Sequence, residues 1–108
     1  MPTYLLQAAY TPDAWAAMVN QPQNRIEAVR PVVEKLGGKL EHAWLAFGEY
    51  DVVVVVEMPE NTDAAAFAMA TAAGGALKAF KTTPLLSMEE GIEAMRKAQE
   101  AGYRPPGG

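Results

Sequence analysis

The stretch Gly48-Glu49-Tyr50-Asp51-Val52-Val53-Val54-Val55-Val56 decides the fold of this chain. It follows a β-rich run at Lys39–Phe47, so we expect the two runs to form a β-hairpin with Gly48-Glu49 as its two-residue loop. In that loop the glycine would supply the positive φ of a type II′ turn. Five consecutive valines are typical of a strand that is buried on both faces. The sequence therefore predicts a sheet that needs cover on both sides.

Outward from this hairpin, residue periodicity and turn residues predict four strands in total. The predicted strands are Tyr4–Tyr10, Lys39–Phe47, Tyr50–Met58 and Leu77–Leu86.

Four helical segments accompany these strands: two between the first and second strands, one between the third and fourth, and one after the fourth. Thr11-Pro12 begins the first, and Ile26 to Leu36 forms the second, in which Pro31 should kink the helix or end its regular part. The third is rich in alanine, with Asn61 or Thr62 as N-cap, and ends before Gly74-Gly75. The last begins at the capping box Ser87–Glu90 and stops at Gly102.

The resulting order is β-α-β-β-α-β with an extra C-terminal helix. This order predicts an α+β, ferredoxin-like plait, in which a four-stranded antiparallel sheet carries helices on one face only. We expect a single domain over residues 1–102 and a flexible tail over residues 103–108. Because the other sheet face is left uncovered, we expect a homodimer or a higher homo-oligomer.

Composition narrows the classes of function. The 108 residues carry a net charge of −4, which argues against nucleic-acid binding. We expect no membrane span and no secretory signal. The absence of cysteine excludes disulfides and thiolate chemistry and suits a cytoplasmic protein.

Alternation along the hairpin places polar residues on the open sheet face. The face towards the helices should carry Ala43, Leu45, Phe47, Tyr50, Val52, Val54 and Val56. The open face should carry Leu40, His42, Trp44, Ala46, Asp51, Val53, Val55 and Glu57, with Gln7 on the first strand. This mixture fits a dimer interface with polar groups at its rim, or a pocket that binds a small molecule. For the pocket, the candidate ligand-binding residues are Gln7, His42, Trp44, Asp51 and Glu57.

Individual side chains of this set leave alternatives open. His42 should lie opposite Val55 and diagonal to Glu57, where it would act as a general base or remain a half-buried ring with a structural role. Asp51 would bind a ligand or accept hydrogen bonds from backbone amides at the mouth of the hairpin. Arg25, at the start of a helix, is a candidate partner for an anion or an ordinary solvated side chain. The pattern predicts neither a metal site nor a cofactor.

Several segments together resemble one protein family. They are Tyr4, Tyr10-Thr11, Arg25, Leu36-Gly37-Gly38-Lys39-Leu40, Gly48-Glu49-Tyr50-Asp51 with its valines, and Lys81-Thr82-Thr83. In these segments the chain resembles the GYD-domain family up to about Glu90. The resemblance implies a ferredoxin-like fold of the dimeric α/β-barrel kind and does not supply a function.

Three classes of function follow from this sequence. The first is a non-catalytic module that binds a small ligand, or senses one, as a homo-oligomer. The second is a cofactor-independent enzyme, by analogy with monooxygenases and isomerases on dimeric α/β barrels. The third is a structural assembly unit.

Overall fold

The computed structural model describes residues 1–107, which form four strands and four helices. The strands are β1 (Thr3–Tyr10), β2 (Lys39–Leu45), β3 (Val52–Glu57) and β4 (Leu77–Leu85). The helices are α1 (Pro12–Asn20), α2 (Ile26–Lys35), α3 (Asn61–Ala73) and α4 (Met88–Ala101).

All four strands belong to one antiparallel sheet in the order β2-β3-β1-β4. The central pair, β1 and β3, is flanked by β2 and β4, each of which is an edge strand. This order is that of the ferredoxin-like plait, and the fold class predicted from the element order is confirmed.

The core lies between the sheet and the helices. Alternate residues of β1 and β3 face each other there: Tyr4 lies opposite Val56, Leu6 opposite Val54 and Ala8 opposite Val52, and all six side chains are buried. The valine run thus places one face in the core. Helix α2 lies over β2, and α3 lies over β4.

The hairpin between β2 and β3 keeps the predicted register but not the predicted turn. The Ala46 N–H donates to the Asp51 carbonyl at 2.7 Å, as a loop centred on Gly48-Glu49 requires. The strands, however, end at Leu45 and begin again at Val52. Gly48 does not take a positive φ, so the prediction of a type II′ turn was wrong.

A β-bulge in β2 changes which face one residue occupies. The register passes from Leu40 opposite Val56 to His42 opposite Val55, so Glu41 is the extra residue. Leu40 is consequently buried in the core, and its predicted place on the open face was wrong. Leu45 and Phe47 are 71% and 101% exposed, so the prediction that the helices cover them was wrong.

Most of the predicted helix boundaries are confirmed. Thr11 caps α1 by accepting a hydrogen bond from the Ala14 N–H at 3.1 Å, and Ser87 caps α4 by accepting one from the Glu90 N–H, also at 3.1 Å. The predicted cap of α3 at Asn61 or Thr62 was wrong, since Glu60 is the N-cap. Helix α2 continues through Pro31, so of the two alternatives predicted there, a kink or an end, the helix does not end.

Helix α4 extends away from the rest of the molecule. None of its residues is buried, and the molecule measures 58 × 33 × 22 Å. Its radius of gyration is 17.4 Å, whereas a compact domain of this size has a value of roughly 13 Å. No helix within residues 1–107 is long and apolar enough to cross a membrane.

Candidate functional site

The predicted ligand-binding residues of the open face lie in different rows of the sheet. His42 and Trp44 stack on each other in β2, with ring centroids 5.6 Å apart and an interplanar angle of 21°. Gln7 occupies the same row as Trp44, but Val53 stands between them. Two strand spacings therefore separate their backbones by about 10 Å.

Glu57 lies further along the open face. Its neighbours across the sheet are Lys39 and Thr3, and within residues 1–107 it forms no hydrogen bond or ion pair with His42. Trp44 is 56% exposed in this chain. The structure thus brings His42 and Trp44 together and leaves Gln7 and Glu57 apart from them, and ligand binding by this set stays a prediction.

Asp51 has structural partners at the end of β1. Its Oδ2 atom accepts hydrogen bonds from the Tyr10 backbone N–H at 2.9 Å and from the Trp15 indole N–H at 3.1 Å. Tyr10 and Trp15 also meet edge to face, with ring centroids 5.4 Å apart. Asp51 thereby ties β3, β1 and α1 together, which matches the second of its two sequence interpretations.

A different part of the molecule contains an apolar cavity, here called the inner cavity. It lies between the sheet, α2 and α3 and has a volume of about 280 Å³. Its walls are mainly apolar side chains from five elements, among them Leu6, Ala8, Val29, Val32, Val54, Phe67 and Phe80.

Small residues account for this space. Since α2 lies over β2 and α3 over β4, the central strands are covered only at the junction between the helices. At that junction the lining includes Ala8 on β1, Ala70 on α3, and Gly74 and Ala76 just beyond α3. None of these side chains is large enough to fill the junction. The alanine-rich composition of α3 therefore has a geometric consequence, which is an apolar cavity in the helical layer.

Three polar side chains of the described chain line the inner cavity. The Thr71 hydroxyl donates to backbone carbonyls of its own helix at 3.0 Å, whereas Tyr10 and Arg25 stand at one end of the cavity. Tyr10 is nine-tenths buried as a residue, but its hydroxyl, which has no hydrogen-bond partner within residues 1–107, is reachable by solvent. Burial raises the pKa of the Tyr10 hydroxyl; the Arg25 charge opposes this shift, and the Asp51 charge adds to it. The hydroxyl therefore remains a neutral donor at physiological pH.

Arg25 has one weak polar contact in the described chain. Its Nη1 donates to the side-chain oxygen of Gln23 at 3.4 Å, and it forms no ion pair there. Arg25 is the N-cap of α2, the end of a helix where a cation is unfavourable. The guanidinium is thus exposed and available at the entrance of the cavity.

A second concavity, here called the edge groove, adjoins the first. It has a volume of about 580 Å³ and runs between the N-terminal part of α2 and the free edge of β2, where His42 and Trp44 contribute to its lining. The two cavities share Tyr10, Arg25, Ile26 and Val52. The inner cavity therefore opens into the edge groove beside Tyr10 and Arg25.

Sequence reasoning reached only part of this site. Arg25 stood out because a cation at a helix start is unusual, whereas Tyr10 carried no sign of an unpaired hydroxyl. The cavity itself depends on how α2 and α3 are spaced across the sheet, which residue patterns do not encode. No group of three or more histidine, aspartate or glutamate side chains within residues 1–107 is arranged to hold a metal ion.

Comparisons with known proteins complete the description of the fold. The crystal structure of FFRP-DM1 is 15% identical with a TM-score of 0.50, and covers 80% of this chain and 100% of its own. That of a hypothetical protein, PHS023 from Pyrococcus horikoshii, is 16% identical with a TM-score of 0.51, and covers 81% of this chain and 92% of its own. At these identities the likeness shows the fold alone. No curated protein matches the sequence. The GYD domain model matches residues 4–95, and the chain therefore belongs to the GYD-domain family.

Proposed function

We propose that this protein is a small-ligand-binding module that holds its ligand in the inner cavity and works as a homo-oligomer. The observation that carries the proposal is the apolar cavity of about 280 Å³ with the unpaired Tyr10 hydroxyl at its end. Ligand sites are typically apolar concavities in which a few polar groups fix the orientation of the bound molecule.

The lining of this cavity suits a ligand with an apolar body and one polar end. Its apolar walls offer dispersion contacts to a molecule that fits them. The Tyr10 hydroxyl has no partner within residues 1–107 and is reachable by solvent, so it is free to donate a hydrogen bond. The body of such a ligand would contact Leu6, Val54 and Phe67 while its polar end reached Tyr10.

Surfaces elsewhere support the homo-oligomer. The open sheet face carries the half-buried side chains of Leu5, Val53 and Val55 with no helix of the same chain over it. Helix α4 exposes an apolar stripe in which Met88, Ile92 and Met95 are 83%, 47% and 70% exposed. An isolated helix of about 14 residues is only marginally stable in water. A second copy of the chain would give both surfaces a partner.

A ligand screen on matched variants tests the binding site. Ala8→Ile places a larger strand-compatible side chain in the inner cavity, whereas Ala16→Ile adds the same atoms on the exposed side of α1. We expect compounds that stabilise the wild type in a thermal-shift assay to stabilise Ala16→Ile equally and to have no effect on Ala8→Ile. A compound whose effect persists in Ala8→Ile but disappears in Trp44→Ala would bind the open face and contradict the proposed site.

Sedimentation or light scattering tests the assembly. We expect the full chain at micromolar concentration to have at least twice the mass of one chain. A strictly monomeric protein would contradict the homo-oligomer while leaving the cavity result unaffected.

A further inference from the structure

We infer that the ligand of the inner cavity is a monocarboxylic acid with a hydrophobic body, whose carboxylate binds between the Arg25 guanidinium and the Tyr10 hydroxyl. This inference rests on the proposed function and assigns the chemical class of the ligand. It follows from the charge and the donors at one end of the cavity and from the apolar walls beyond them.

Arg25 supplies the charged donor. Within residues 1–107 it has no ion-pair partner, and its one polar contact, to Gln23 at 3.4 Å, is long. Carboxylates bind guanidinium groups by charge-assisted hydrogen bonds in a matching planar geometry. An anion beside Arg25 would also lie at the N-terminal end of α2, where the helix dipole favours negative charge.

Tyr10 supplies the neutral donor. Its hydroxyl has no hydrogen-bond partner in the described chain and is reachable by solvent, so it is free to donate to a ligand. Burial of the residue raises its pKa, so the hydroxyl keeps its proton over the whole physiological range. A carboxylate that approaches Arg25 would accept a hydrogen bond from this hydroxyl with its second oxygen. Both donors line the inner cavity and the edge groove alike, so they meet the ligand where it enters.

The remaining surroundings limit the ligand to one negative charge. Asp51 lies beside Tyr10, and its negative charge raises the Tyr10 pKa, although by less than the Arg25 charge lowers it. Glu27 and Glu41 line the adjoining edge groove. Arg30 lines that groove too, with one 3.4 Å contact from its Nη1 to the Leu40 carbonyl. It does not line the inner cavity, where Arg25 is the single charged side chain among residues 1–107, so a ligand with its head group there would carry one negative charge. The apolar walls beyond Tyr10 require that the rest of the molecule be hydrophobic.

Acid and amide pairs test this class directly. The probes are hexanoate, octanoate, phenylacetate and indole-3-acetate, each compared with its neutral amide by isothermal titration calorimetry. The amide keeps the shape and removes only the charge. We expect the best-fitting acid to bind about 10- to 100-fold more tightly than its amide, as charge-assisted hydrogen bonds are worth this much.

Three variants locate the effect. Arg25→Met should remove the preference for acid over amide, and Tyr10→Phe should weaken acid binding about 2- to 10-fold. Arg96→Gln, an exposed arginine of α4, is the matched control and should bind like the wild type.

The outcomes separate the inference from the proposed function. Equal binding of acids and amides that is lost in Ala8→Ile would overturn the carboxylate while leaving the cavity as the site. A preference for acids that survives in Arg25→Met would also overturn it, because the charge would then be bound elsewhere. Binding of none of the eight compounds, together with a negative result in the wider thermal-shift screen, would overturn the inference and the proposed function together.

Discussion

Replacing Asp51 with alanine should destabilise the protein because two donors lose their shared acceptor. The Tyr10 backbone N–H and the Trp15 indole N–H both donate to Asp51 Oδ2, at 2.9 and 3.1 Å. Hydrogen bonds to a charged group contribute about 1.5–3 kcal/mol each. Trp15 is only half-buried, so its N–H regains water in the variant, whereas Tyr10 is buried. We therefore expect Asp51→Ala to lower the free energy of unfolding by about 2–4 kcal/mol.

Urea unfolding measured by circular dichroism is the suitable assay, because Trp15 fluorescence would itself respond to the loss of the hydrogen bond. Glu49→Ala is the matched control, since it removes a carboxylate from the same loop that has no hydrogen bond or ion pair within residues 1–107. We expect this control to change stability by less than about 0.5 kcal/mol. If Asp51→Ala is no less stable than Glu49→Ala, the structural role of Asp51 is refuted, and its role as a ligand-binding residue regains support.

Four further predictions have defined outcomes. Gly38→Ala should lower the free energy of unfolding in urea by about 1–3 kcal/mol, because the new Cβ would lie 2.5 Å from the backbone oxygen of Glu57. Gly91→Ala is the control and should not destabilise the protein, since the space around Gly91 is open. Arg25→Met should raise the pKa of Tyr10 further, because the positive charge that lowers this pKa is removed. The titration is followed by tyrosinate absorbance against pH, with the signal of the Tyr10→Phe variant subtracted. An unchanged titration would contradict the prediction. Since the folded pKa of Tyr10 is raised, wild-type stability should fall as pH rises above about 10, and less so in Tyr10→Phe. Deleting residues 88–108 should reduce the oligomer mass in light scattering, and an unchanged mass would exclude α4 from the interface.

Element order was predictable because local signals agree with the tertiary structure. Thr11-Pro12, the Ser87 capping box and Gly102 each satisfy backbone groups at a helix end through nearby residues, so a sequence pattern reports them directly. The five valines similarly fix β3 as a central strand. These features need no knowledge of distant contacts.

The prediction of which side chains of β2 face the core was wrong at Leu40, because Glu41 forms a β-bulge in the pairing with β3. Alternation places Leu40 and His42 on the same face, and the bulge at Glu41 separates them. Nothing in the local sequence requires this bulge. The buried position of Leu40 opposite Val56 is a tertiary preference, and it outweighs the regular pairing.

The candidate site was only partly predictable for a related reason. The open-face residues were chosen because a buried polar group without a hydrogen-bond partner is energetically unfavourable, and this argument is correct. Asp51 meets that need within the chain, through Tyr10 and Trp15. An unpaired hydroxyl such as that of Tyr10 becomes visible only when every neighbour of the side chain is known.

The Gly-Glu-Tyr-Asp segment and the inner cavity are linked through one side chain. Asp51 holds the backbone of Tyr10 by a hydrogen bond at 2.9 Å, and the same tyrosine places its hydroxyl at the cavity end beside Arg25. Asp51 does not line either cavity, so any effect on binding would be exerted through the position of Tyr10. If the segment has this positioning role, Asp51→Asn should weaken acid binding in the wild-type background and have no effect once Tyr10 is phenylalanine. Equal weakening in both backgrounds would instead mean that Asp51 acts on the fold as a whole.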